Sequence, residues 1–204
     1  MSAESWMYLS ATVVAVSGFY YAFHAWRRNI YPNPVSWGVW VVVGIALFLT
    51  ANTSQADAVY FTNIVAAWNP FLIATIILVR VRDRIYNLSN REKQCLVFAF
   101  VGYFLWFVLH DMPTFAPWAM YWMVGVDLFA LWPTLTQVRE KPMSDKPIPW
   151  MIFGLGFGLS GFAIDDHTIA NWIIPTYMFL GANFVALPMI IYRVRNNSLW
   201  REWV

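Results

Sequence analysis

Residues 34–52 read PVSWGVWVVVGIALFLTAN and contain no charged side chain. A helix needs about 20 mostly apolar residues to cross the hydrocarbon core of a bilayer. Six further stretches of this kind lie along the chain, so the sequence predicts seven transmembrane helices. The predicted spans are 6–26, 34–52, 58–80, 94–110, 114–136, 148–164 and 168–192.

The composition of the whole chain favours the same interpretation. Only 12% of the 204 residues are charged and 60% are hydrophobic, whereas about 25% of a soluble domain is charged. We therefore expect an all-α membrane protein whose main partner is the lipid bilayer. The net charge of +2 gives no basis for nucleic-acid binding, which relies on many phosphate contacts.

The basic residues indicate how the predicted spans are oriented. All 13 Lys and Arg residues follow spans one, three, five or seven. The charged residues on the opposite side are all acidic. Basic loops remain on the cytoplasmic side, so we expect the N-terminus outside and the C-terminus in the cytoplasm, in a bacterial inner membrane. The basic residues are Arg27, Arg28, Arg80, Arg82, Arg84, Arg91, Lys93, Arg139, Lys141, Lys146, Arg193, Arg195 and Arg201. The acidic residues of the opposite side are Glu4, Asp57, Asp111, Asp165 and Asp166.

Two sequence features recur with the same separation. Pro34 and Pro147 each begin the pattern P-x-x-W at a predicted helix start, 113 residues apart. The pattern R-V-R recurs at the same separation, at residues 80–82 and 193–195. A shared offset predicts two parallel three-helix repeats, related by an axis along the membrane normal. The predicted units are a first repeat at 1–90, a linker helix at 91–112 and a second repeat at 113–204.

This 3+1+3 arrangement resembles the SWEET/PQ-loop superfamily, which includes transporters of sugars, amino acids and vitamins. The resemblance implies a central pocket between two rocking units and transport by alternating access. Locally, the segment PNPVSWGVW at residues 32–40 is similar to small bacterial membrane proteins that share a P-x-x-S-W-x-x-W helix start. This second similarity implies no activity.

Two asparagines are candidates for solute binding by that resemblance. In SWEET transporters an asparagine in the third helix of each unit faces the pocket, and Asn69 and Asn183 occupy the third and seventh spans here. A buried amide needs hydrogen-bond partners, so each could bind a solute or join neighbouring helices. Pro70 and Pro188 follow these asparagines and are predicted to permit hinging, because proline frees a backbone carbonyl.

Asp127 is the only carboxylate within a predicted span. Ionisable groups inside a membrane are functional candidates by default, and proton coupling, contact with a solute amine and a structural hydrogen bond all stay open. Trp68 and Trp132 lie deep in their spans and either form platforms for a solute or fill the core. Trp37 and Trp150 are instead expected at the inner membrane interface, where tryptophan is enriched.

The leading hypothesis is a protein that binds or transports a small polar solute, such as a sugar, nucleoside or amino acid, without a cofactor. Asn69, Asn183, Asp127, Trp68 and Trp132 form the predicted site. The alternative is a non-catalytic subunit of a larger, pigment-containing membrane complex, or a homo-oligomer.

The residues give little support to an enzymatic function. A metal-dependent hydrolase would have to use His110 and His167, which are few ligands for a dedicated site. A retinal protein is excluded because Lys93, Lys141 and Lys146 all lie in loops, and a Schiff base needs a lysine within a span. We therefore predict no catalytic residue and no metal ligand.

Overall fold

The computed structural model describes residues 1–51, 60–80, 88–110, 112 and 114–203. These residues form seven α-helices and no strand, which confirms the all-helical prediction. Each helix boundary lies within four residues of its predicted span. The helices are α1 (Ala3–Trp26), α2 (Pro34–Ala51), α3 (Tyr60–Arg80), α4 (Asn90–Leu109), α5 (Ala116–Glu140), α6 (Pro147–Ser160) and α7 (Ile169–Arg195).

Four of these helices, α1, α3, α4 and α7, are long and apolar enough to cross a membrane. Helices α2 and α6 are apolar but shorter, and a 3-10 turn at Gly161–Ala163 extends α6. The hydrophobic lengths therefore fit an integral membrane protein.

Polar side chains and prolines set the helix starts. Asn33 Oδ1 accepts hydrogen bonds from the backbone N–H groups of the second and third residues of α2, at 3.0 and 3.2 Å. Ser89 and Glu92 form a reciprocal capping box at the start of α4, which satisfies two otherwise unpaired N–H groups. Pro34 and Pro147 are the first residues of α2 and α6, where proline costs no hydrogen bond.

The helices pack as two groups of three with α4 at the side. Helix α3 contacts both α1 and α2, and α7 contacts both α5 and α6. Contacts of α1 with α6 and of α2 with α5 join the two groups. Helix α4 packs on α5 and α2.

Glycine allows the closest approach between the groups. A Cβ on Gly156 of α6 would lie 2.6 Å from Val14 Cγ2 of α1, so the two helices touch through backbone. Ser10 Oγ donates to the Gly156 carbonyl at 2.7 Å and also contacts Thr62 Oγ1 at 2.9 Å. Gly154 lies two residues before Gly156, about 200° around α6, and faces α7 through Asn183. The glycine-rich segment of α6 thus packs against a helix on each side.

Charged residues gather at one end of the bundle, which we call the basic end. There α1, α3, α5 and α7 finish and α2, α4 and α6 begin. Arg80 at the end of α3 donates to the Trp26 carbonyl at the end of α1, and Arg91 of α4 lies 3.8 Å from Glu140 of α5. Every Lys and Arg that the structure describes belongs to this end, and Arg82 and Arg84 lie outside the described residues.

Candidate functional site

One cavity of about 90 Å³ lies between the two groups of helices. Six helices line it, and within the described residues α4 contributes nothing to its walls. Most of the wall is apolar. The polar side chains that line it are Ser17, Tyr21, Asn63, Asn69, Asp127 and Tyr177, together with the indoles of Trp37, Trp40 and Trp150.

Asp127 lies in the wall that α5 contributes. It is 5% exposed, and its Oδ2 accepts a hydrogen bond from the Tyr177 hydroxyl of α7. Trp40 of α2 donates its indole N–H to the backbone carbonyl of Asp127 at 3.5 Å. Three helices therefore meet at this residue, and no Lys, Arg or His side chain that the structure describes lines the cavity beside it.

Asn69 lies on the opposite wall, in α3. Its Nδ2 donates to the Val14 carbonyl of α1 at 3.1 Å. The amide fits there because Gly18 has no side chain: a Cβ on Gly18 would lie 2.0 Å from Asn69 Oδ1. Pro70 follows Asn69 and also lines the cavity. Asn69 thus combines the two roles left open by the sequence, since it joins two helices and faces the cavity.

Asn63 is a second cavity-lining amide of α3, and the sequence analysis did not single it out. It is 7% exposed, and its Nδ2 has no hydrogen-bond partner within the described residues. Buried donors without a partner are rare in folded proteins because they cost about 1–3 kcal/mol. Asn63 therefore offers a donor to whatever occupies the cavity.

Four aromatic side chains form the wall nearest the basic end, which we call the aromatic wall: Tyr21, Trp37, Trp40 and Trp150. The ring centroid of Trp37 lies 4.9 Å from Tyr21, 5.0 Å from Trp40 and 6.0 Å from Trp150. Trp37 and Trp150 are each 7% exposed. Both residues lie near the basic end, but their rings turn inward between the helices instead of facing outward, as interface tryptophans would.

Asp145 lies directly behind the aromatic wall, in the loop between α5 and α6. Its Oδ2 accepts from the Tyr21 hydroxyl at 2.8 Å and from the Trp150 indole at 3.2 Å, and its Oδ1 accepts from the Lys146 N–H at 2.7 Å. Burial raises the pKa of Asp145 from 3.8 to about 6, while these hydrogen bonds and the nearby Arg193 oppose the rise.

Arg193 of α7 completes this network with its buried guanidinium. Nη2 donates to the Asp145 carbonyl at 2.7 Å, Nη1 to the Pro142 carbonyl at 2.9 Å, and Nε to the Glu202 carbonyl at 2.9 Å. Lys146 Nζ donates to a carbonyl of the same C-terminal segment, Arg201, at 3.0 Å. The loop and the segment after α7 are thereby held together across the basic end of the cavity.

Three residues of the predicted site lie elsewhere. Asn183 faces Gly154 of α6, and its Nδ2 donates to the Phe179 carbonyl one turn back at 2.7 Å. Trp68 is 66% exposed and Trp132 is 53% exposed, so both rings face outward from the bundle. The cavity therefore unites Asn69 and Asp127 but not the other predicted members.

A helix rotation explains the place of Asn183. In the predicted repeat register, 113 residues after Asn69, the chain has Ala182, and Ala182 does line the cavity. One residue further turns an α-helix by about 100°, which carries Asn183 to the α6 side. Pro188 of the same helix lines a separate groove between α5 and α7, outside the cavity.

The histidines considered as metal ligands are engaged with aromatic neighbours. His110 stacks on Trp106 at 4.3 Å, and His167 Nδ1 accepts from the Trp172 indole at 3.0 Å. In the part of the chain that the structure describes, no three His, Cys, Asp or Glu side chains gather. Asp111, beside His110, lies outside the described residues.

Comparisons of the chain with protein-family models, curated proteins and solved structures found no match.

Proposed function

We propose that this chain is a membrane protein that binds or transports a small polar solute in the cavity between its two helix groups. The observation that carries the proposal is a cavity lined by six helices that holds a buried carboxylate, Asp127, and two amides, Asn63 and Asn69. Polar groups at this depth are costly unless they serve a solute or each other.

The proposal includes seven spans and two parallel repeats of the SWEET/PQ-loop type. The contacts between helices support it. In two equivalent repeats α1 corresponds to α5 and α2 to α6, so a contact of α1 with α6 should be matched by a contact of α5 with α2, and both contacts are present. Trp37 and Trp150, which correspond in the repeat register, meet at 6.0 Å beside the cavity. Two related units that rock about this point would give alternating access.

The orientation proposed is N-terminus outside and C-terminus cytoplasmic, in a bacterial inner membrane. The positive-inside rule applied to the basic end supports this. In a Cys95→Ser background, Asp165→Cys should react with a membrane-impermeant maleimide in intact cells. Lys141→Cys should react only after lysis. Equal labelling of both in intact cells would contradict the orientation.

The solute-binding proposal is tested with purified protein and a panel of sugars, nucleosides, amino acids and vitamins. A ligand that binds the folded state stabilises it by about 2.7 kcal/mol at 100 times Kd, which raises the melting temperature. Asn69→Ala should weaken the shift, whereas Asn183→Ala, an asparagine outside the cavity, should leave it unchanged. A protein that responds to none of these solutes contradicts the proposal and favours the subunit interpretation.

A further inference from the structure

The aromatic wall is a compact group of four rings from three helices. In addition to the three contacts that Trp37 makes, the ring centroids of Trp40 and Trp150 lie 5.9 Å apart. Those of Tyr21 and Trp150 lie 5.7 Å apart. The ring planes of Trp37 and Trp40 meet at 89°, those of Tyr21 and Trp150 at 85°, and those of Trp40 and Trp150 at 66°. Rings at right angles bound a corner, and all four side chains line the cavity.

Among the described residues, Asp127 supplies the only carboxyl group on the cavity wall, and no Lys, Arg or His lines it. Asp127 has one hydrogen bond to its carboxylate, from Tyr177 to Oδ2, and its other oxygen accepts none from the described residues. An uncompensated carboxylate removed from water carries a penalty of several kcal/mol, which a cation at close range offsets.

From these two features we infer that the cavity binds an organic monocation whose head is a quaternary or alkylated ammonium. The inference rests on the proposed function of the cavity as a solute site and names the class of solute. The aromatic wall would receive the alkyl groups and the charge through the faces of its rings, which attract cations. Asp127 would supply the opposite charge.

The wall chemistry separates this class of ligand from two others. Metal cations such as Ca²⁺ require about six to eight oxygen ligands, and the cavity offers few oxygens on a largely apolar wall. A hexose requires a hydrogen-bond partner for most of its hydroxyls, which a largely apolar wall does not supply. A compact alkylammonium head requires neither a shell of oxygen ligands nor many hydrogen-bond partners.

The unpartnered Nδ2 of Asn63 adds a donor that can serve a hydroxyl or carbonyl oxygen of the ligand. Choline, which carries a trimethylammonium head and one hydroxyl, is therefore a suitable probe. Tetramethylammonium tests the head alone, and 3,3-dimethyl-1-butanol is the uncharged isostere of choline.

The decisive comparison uses the unaltered protein in nanodiscs and radiolabelled choline. We expect saturable choline binding, competition by tetramethylammonium, and at least tenfold weaker competition by the uncharged isostere. Equal competition by choline and its isostere would overturn the inference, because the positive charge would then contribute nothing.

Variants locate the binding on the wall. Trp150→Leu and Asp127→Asn should each weaken choline binding at least tenfold. Trp118→Leu, which removes a tryptophan that is 67% exposed, should leave it unchanged. Unaltered choline affinity in both Trp150→Leu and Asp127→Asn, measured on protein that melts cooperatively, would also overturn the inference.

The inference and the proposed function can fail separately. If an uncharged solute of the earlier panel binds, with loss of binding in Asn69→Ala, while choline does not bind, only the assignment of a cation is wrong. If neither choline nor any member of the panel binds, the cavity is no solute site and both proposals fall.

Discussion

Raising the pH from about 4 to about 7 should destabilise the basic end through Asp145. The carboxyl group is 1% exposed and lies outside the helices. Burial raises its pKa in the folded protein to about 6, from an ordinary value of 3.8. The folded state therefore holds this proton more tightly than the unfolded state does. Stability is fully present below the unfolded value of 3.8 and is lost as the pH rises through about 6.

The magnitude follows from the two pKa values. They differ by about 2, and each pH unit of difference corresponds to 1.36 kcal/mol, which gives a loss of about 3 kcal/mol. At about 2–4 °C per kcal/mol for a chain of this size, the Asp145 contribution should lower the melting temperature of the wild type, relative to that of Asp145→Asn, by roughly 6–12 °C between pH 4 and pH 7.

The assay is thermal unfolding in detergent at a series of pH values, followed by tryptophan fluorescence. Asp145→Asn should remove this part of the pH dependence, because an amide does not titrate. It should also lower the melting temperature at pH 4 by a few degrees, since Nδ2 cannot accept from the Lys146 N–H. Asp165→Asn alters an exposed carboxylate and should keep the wild-type profile. A pH profile in Asp145→Asn that is parallel to wild type would refute this reasoning.

Two further substitutions test contacts around the cavity and the basic end. Gly18→Ala should destabilise by about 1–3 kcal/mol, because its Cβ would displace Asn69 from its hydrogen bond. A Cβ on Gly38 would meet no atom within 4 Å, so Gly38→Ala should stabilise α2 by up to about 1 kcal/mol. Equal melting temperatures of Gly18→Ala and Gly38→Ala would contradict this prediction. Arg193→Met should cost on the order of 3 kcal/mol, since it leaves buried carbonyls unpaired. Arg195→Met, on an exposed side chain, should change the melting temperature little, and comparable losses in both would show that the buried network is dispensable.

The helices could be predicted from the sequence because their signal is local. An apolar run identifies a span, and the predicted and observed ends differ mainly where polar turns extend a helix. Helix α4 begins at Asn90 rather than 94, and α5 ends at Glu140 rather than 136. Hydropathy does not detect such turns, although the capping box of Ser89 and Glu92 is visible in the sequence.

The site could be predicted only in part because it depends on helix rotation. Asp127 is a lone carboxylate in an apolar span, a signal that needs no tertiary information, whereas Asn69 was a candidate through the resemblance to SWEET transporters. Asn183 was a candidate for the same reason, yet it faces α6. The sequence alone does not decide whether a tryptophan lies at the membrane interface or in the protein core. Trp37 lies at the start of a helix, where both positions are compatible with the sequence.

Asp145 and Tyr177 were missed for different reasons. Asp145 lies in a loop with basic neighbours, which is typical of a solvated charge, and its partners Tyr21, Trp150 and Arg193 come from three different helices. Tyr177 has no distinguishing pattern around it, and its role arises only from its hydrogen bond to Asp127 of another helix. Contacts between distant segments leave no trace in local sequence.

The order of synthesis gives the Arg193 network a further consequence. Helix α7 is translated before the 3-10 turn at Trp200–Glu202, yet the Glu202 carbonyl is one of the acceptors of Arg193. Arg193 and Glu202 are nine residues apart and leave the ribosome almost together, so until the segment after α7 folds back and the loop between α5 and α6 packs against α7, the guanidinium must rely on water or lipid headgroups. The basic end can therefore close only as a late step of biogenesis, after both helix groups have been inserted and joined.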